Sequence, residues 1–71
     1  MTKYIVDSMA YNPTVEHNQL AWAAVGQFAA RNQNHPMQIG EYAQAVPPKH
    51  DGGNRIGFIQ YLIAHKALVA V

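Results

Sequence analysis

The chain has 71 residues, no cysteine, a formal net charge of +1, and charged side chains at only 13% of its positions. At this length it forms one domain, residues 1–71, which buries only about 60% of the surface that its unfolded form exposes. The lack of cysteine excludes disulfides and cysteine-ligated zinc, and the small net charge provides little long-range attraction toward nucleic acid or an acidic partner. Self-association is therefore the expected additional source of stability.

Composition and hydrophobic runs indicate whether the chain is folded and whether it enters a membrane. Hydrophobic residues make up 49% of the sequence, which argues against disorder. No apolar run approaches the roughly 20 residues that span a membrane, and the N-terminal stretch MTKYIVDSMAYNP lacks the features of a signal peptide. We expect a cytoplasmic protein without a membrane partner and without a cofactor.

The first two predicted elements are a short strand and a long helix. Residues 3–8, KYIVDS, carry three strand-forming residues in succession. Asn12 and Pro13 suit the start of a helix, and residues 14–31 have an apolar arc more than half-way round the helix axis. So wide an arc predicts packing against two neighbours, or against one neighbour and a second subunit. The arc comprises Leu20, Ala21, Trp22, Ala24, Val25, Phe28 and Ala29.

Two further helices and a strand complete the chain. Residues 37–46 predict a short helix with Ile39, Tyr42, Ala43 and Val46 on one face, and the loop PPKHDGGN follows it. The third helix is predicted to run from residue 54 or 55 to about residue 66, with Asn54 as its N-cap. Residues 68–71 then form a strand, whose simplest partner is the strand at residues 3–8.

The third helix is apolar on nearly every side. Two of its faces are apolar, one formed by Ile56, Ile59, Ile63 and Ala67, the other by Phe58, Tyr61 and Leu62. Either the core wraps the whole helix, or the isoleucines face inward and the second face is an exposed patch of the kind that marks interaction sites. A 71-residue domain can hardly enclose a helix completely, so we expect the patch, with Trp22 as a further contact.

The order of strand, two helices, loop, helix and strand resembles winged-helix domains, a variety of the helix-turn-helix fold. The resemblance covers about residues 37–69 and rests on the spacing of Ile39, Tyr42, Ala43 and Val46, then of Ile56, Ile59 and Ile63, and on the closing Ala67-Leu68-Val69. It implies that the third helix enters the major groove of duplex DNA. The residues that meet base edges or phosphates would then be Lys49, His50, Asn54, Arg55 and Gln60.

The small number of cations limits this DNA interpretation. A strongly salt-dependent complex makes about 6 to 10 phosphate contacts, whereas the chain has five Lys and Arg residues in total. One copy is expected to bind weakly, and a dimer would double the contacts. The alternative for residues 49–54 is a solvated loop without a ligand.

Catalytic and metal sites are not indicated. The four histidines, His17, His35, His50 and His65, are 18, 15 and 15 residues apart, so no two share a helix face as ligand pairs do. No activated serine and no paired carboxylates accompany them. We expect neither a metal site nor an enzyme.

These observations predict a mainly α protein, with a three-helix core and a short two-stranded ribbon from the termini, winged-helix-like. The predicted function is that of a small non-enzymatic DNA-binding or regulatory protein of phage or mobile-element type, acting as a homodimer. The alternative is a protein-interaction module, such as a phage-type inhibitor or adaptor, whose partner binds Trp22, Phe58, Tyr61 and Leu62.

Overall fold

A computed structural model describes residues 1–7, 19–48 and 54–71. Its elements in chain order are β1 (Tyr4–Val6), α1 (Gln19–Arg31), α2 (Ile39–Ala45), α3 (Arg55–Ala64) and β2 (Leu68–Ala70). The predicted helical core with a two-stranded ribbon is confirmed. The predicted helix start at Asn12 and Pro13 lies outside the described residues.

The ribbon forms within one chain. β1 and β2 are antiparallel, with Ile5 opposite Val69. On the other side of β1, Tyr4 and Met37 exchange two backbone hydrogen bonds of 2.7 and 3.0 Å. The side-chain amide of Asn34 accepts from the N–H of Val6 at 2.9 Å and donates to its carbonyl at 3.0 Å. Asn34 thus satisfies both backbone groups as a third strand would, and this edge of β1 is closed.

Two of the helices end in the same way. Gln33 after α1 and Lys66 after α3 have left-handed backbones, with φ of 57° and 63°. After α3, the N–H of Ala67 donates to the carbonyl of Leu62 at 2.9 Å, which is the closing hydrogen bond of a Schellman motif. Glycine usually occupies the left-handed position, so Lys66 holds a conformation that costs a side-chain-bearing residue energy.

One core lies between the three helices and the inner side of the ribbon. Its most buried large side chains are Tyr42, Ile59, Leu62, Leu68, Val25 and Val46. The predicted inward face of α2 is confirmed, since Tyr42, Ala43 and Val46 are buried and Ile39 is half-buried. Within the single chain, Leu20 of the predicted arc of the first helix is not covered, since it is 81% exposed.

Candidate interaction face on the third helix

The N-terminus of α3 is fixed by a side-chain cap. Asn54 accepts a hydrogen bond from the N–H of Gly57 through Oδ1 at 3.1 Å, which confirms the predicted N-cap. A Cβ atom at Gly57 would overlap the Asn54 amide in its present position, so a larger residue there would displace this side chain. Bidentate contact with adenine needs both the oxygen and the nitrogen of an Asn side chain. The capping bond therefore competes with the base contact predicted for Asn54.

Arg55 is engaged with α2. Its guanidinium donates from Nε to the carbonyl of Val46 at 2.9 Å, and from Nη2 to the carbonyl of Gln44 at 2.7 Å. These carbonyls lie at the C-terminus of α2, where the helix dipole favours a cation. The half-buried side chain ties the end of α2 to the start of α3, and both bonds would have to break before those N–H groups reached a base.

Of the remaining predicted DNA contacts, only Gln60 is among the described residues, and it does not share a helix face with Arg55. Lys49 and His50 lie outside the described residues. Gln60 is exposed, but at 3.6 residues per turn it lies about 140° around the helix from Arg55. Asn54, Arg55 and Gln60 therefore do not form a single reading surface.

The predicted exposed patch on α3 is a buried face. Phe58 is 4% exposed and Leu62 is fully buried, while Trp22 from α1 is 2% exposed. The Trp22 ring packs edge-on against Phe58 and Tyr61, with centroid distances of 6.4 and 6.1 Å. Only Tyr61 of the four predicted interface residues is partly exposed. The expectation that Phe58, Leu62 and Trp22 meet a partner at the surface is therefore corrected, because they pack on one another inside the chain.

The exposed side of α3 is the one that the isoleucine pattern assigned to the core. Ile56 is 46% exposed, Gln60 is exposed, and Ile63 is half-buried. They are spaced i, i+4, i+7, which places them within about 60° of one another around the helix. We call these three residues the outer strip. The predicted inward position of Ile56 is wrong, whereas that of Ile59 is confirmed, since Ile59 is fully buried.

The sequence contained a signal for this outcome. Gln60 stands between Ile56 and Ile63 at the spacing of one helix face, and an amide in the middle of a buried face needs hydrogen-bond partners. On the opposite face, the i, i+4 pair of Phe58 and Leu62 contains no polar residue. The position of the single amide therefore distinguishes the two faces of a helix that is apolar all round.

Metal-binding groups and membrane-spanning helices are not seen in the part of the chain that the structure describes. Within residues 1–7, 19–48 and 54–71, no three His, Asp or Glu side chains are grouped so that they could hold a metal ion. Nor does any helix in these ranges have the length and apolarity needed to cross a membrane.

Comparisons with protein-family models, curated proteins and solved structures find no match for this chain.

Proposed function

We propose that this chain is a small non-enzymatic protein-binding module, of the inhibitor or adaptor kind, and that the outer strip of α3 is its docking surface. The observation that supports the proposal is the exposure of Ile56, at 46%, in a strip without charge. α3 contains one charged residue, Arg55, and its guanidinium is bonded to α2. A face of aliphatic side chains with one amide suits the apolar face of a protein partner better than the phosphates of DNA.

The partner that fits this strip is an amphipathic helix or another narrow apolar surface. Ile56 and Ile63 provide aliphatic contact area at the two ends, and Gln60 supplies one donor and one acceptor between them. The strip follows a rigid helix that is capped at its start by Asn54 and packed on its other side by Phe58, Ile59 and Leu62. Such a surface needs little ordering when it binds.

A second candidate is duplex DNA, bound by a winged-helix-like homodimer. The observation in its favour is that α3 follows α2 in direct contact and that its outer strip is partly exposed, with Gln60 as an exposed side chain able to pair with adenine. In this case Lys3, Arg31 and Lys66, which are exposed, supply phosphate contacts. The phage or mobile-element type that the sequence predicts is common to both candidates.

One substitution gives opposite results under the two candidates. Ile56→Lys places a cation in the outer strip, which disrupts an apolar protein contact and strengthens attraction to phosphates. Leu20→Lys is the matched control, because Leu20 is a second exposed aliphatic residue and lies on α1. Circular dichroism checks that both variants fold.

The first measurement is capture of displayed amphipathic helical peptides by the unmodified chain. We expect peptides whose capture is lost with Ile56→Lys and kept with Leu20→Lys. The second measurement is titration of the three proteins with a mixed-sequence DNA duplex at two salt concentrations. Salt-sensitive DNA binding that increases with Ile56→Lys, with no Ile56-dependent peptide, would overturn the protein-binding proposal in favour of DNA.

A further inference from the structure

The outer strip has the spacing of a helix-pairing seam. Steps of four and then three residues, from Ile56 to Gln60 to Ile63, match successive d, a and d positions of a heptad pattern. In such seams an aliphatic d residue packs against the facing helix, and a single polar a residue fixes the register. Here the polar residue lies in the middle, with an isoleucine about one turn away on each side.

We propose that the occupant of this strip is a second copy of the chain, with α3 against α3 about a two-fold axis near Gln60. This inference rests on the protein binding proposed above for the outer strip and names a second copy as the protein bound there, so any other partner would have to displace that copy. Because the strip is nearly symmetric about Gln60, either a parallel or an antiparallel pair sets Gln60 opposite Gln60 of the second copy. Each amide then offers a donor to the other's acceptor, and isoleucines meet at both ends.

Charge and complementarity favour a copy of the same chain. The strip is uncharged and the chain carries a net charge of only +1, so two copies meet with little repulsion. The Gln60 amide contains both halves of the hydrogen bond that it needs, which makes the strip its own complement. A carboxylate or ammonium at this position would require an oppositely charged partner instead.

The size of the outer strip limits the affinity that is expected between two copies. α3 has 10 residues, so it is about 15 Å long, and the whole chain has an accessible surface of 4558 Å². A standard stable interface takes about 800 Å² from each partner, more than one side of so short a helix provides. We therefore expect a weak dimer, with a Kd roughly in the micromolar to millimolar range.

A charge-swap experiment tests the pairing of Gln60 with itself. Gln60→Glu and Gln60→Lys each place like charges at the centre of a homodimer, so each variant alone should dissociate at least about tenfold more readily than the unmodified chain. An equimolar mixture of the two variants places opposite charges there and should associate at least as well as the unmodified chain. Sedimentation equilibrium over a series of concentrations up to about 1 mM measures all four samples.

Gln27 provides the matched control. It is exposed on α1, and Gln27→Glu and Gln27→Lys carry the same charges away from α3. Neither control should change the dimer, alone or mixed. If the dimer forms but the Gln60 mixture does not recover association, or if the Gln27 pair behaves in the same way as the Gln60 pair, the α3 seam is refuted.

The two proposals fail differently. An unmodified chain that stays monomeric throughout the concentration series overturns the second-copy inference, while Ile56-dependent capture of a peptide would still support protein binding. If the chain stays monomeric and no peptide is captured through Ile56, both proposals are overturned.

Discussion

Replacing Arg55 by alanine removes the bonds that join α2 to α3. The side chain donates at 2.9 Å to Val46 and at 2.7 Å to Gln44, at carbonyls on the negative end of a helix dipole. A hydrogen bond from a charged donor contributes about 1.5–3 kcal/mol, and we take about 1 kcal/mol for each of the two bonds, below that range, because one is exposed and the other only part-buried. We expect Arg55→Ala to lower the free energy of unfolding by about 2 kcal/mol. For a chain of this length, that is a fall in Tm of roughly 8–16 °C.

Urea unfolding followed by the fluorescence of Trp22 measures this change, because the indole is buried against α3. Arg31→Ala is the control, since Arg31 is an exposed arginine in the last turn of α1 and contributes at most about 1 kcal/mol through the dipole. Arg55→Lys keeps the charge but loses the two-pronged geometry, so its stability should lie between those of the parent and Arg55→Ala. If Arg55→Ala and Arg31→Ala lower the free energy of unfolding equally, the two bonds from Arg55 do not hold α2 to α3. Arg55 would then be as free to contact DNA as the sequence predicts.

Two further predictions concern the ends and the centre of the fold. Lys66→Gly should raise stability by about 0.5–1 kcal/mol, measured as a higher urea midpoint with an unchanged slope, because glycine holds the left-handed backbone at φ 63° without strain; a lower midpoint would contradict it. Burial, and secondarily the charge of Glu41, raises the pKa of Tyr42 above its ordinary value of 10.0. Because the pKa is raised in the folded state, the contribution of the Tyr42 hydroxyl to the free energy of unfolding is fully present below pH 10. That contribution is lost as the pH rises through the folded-state pKa. Tyr42→Phe should therefore start about 1 kcal/mol lower at pH 7, through loss of the 2.9 Å bond to Tyr4, and show a smaller alkaline loss; equal alkaline losses in parent and variant would contradict this.

The features that the sequence predicts well are those with local causes. Pro47 and Pro48 end α2 because neither can continue a helix, and Asn54 caps α3 because its side chain reaches an N–H three residues away. The buried face of α2 follows from its i, i+3, i+4, i+7 pattern. Each of these features depends on residues within one or two helical turns, so a short stretch of sequence is sufficient to predict it.

The orientation of α3 depends on contacts that are distant in the sequence. Its apolar residues are spread round the axis, so periodicity alone does not choose between the faces of Ile56 and of Phe58. The choice is made by Trp22, which lies 36 residues before Phe58 and packs against its ring. The position of Arg55 is also not predictable from the sequence pattern. Its two acceptors are backbone carbonyls, which every residue has, so no side chain in the sequence indicates them.

The two candidate functions compete for one surface, and this restricts how the chain can work. If α3 pairs with a second copy through Ile56, Gln60 and Ile63, the same strip cannot enter a major groove, and such a dimer cannot be the DNA-reading dimer of a helix-turn-helix protein. Conversely, a chain that reads DNA with Gln60 must dimerise elsewhere, for example through the ribbon. A sample in which self-association and DNA binding exclude each other would place both on the outer strip. Simultaneous binding would show that one of them uses a different part of the molecule.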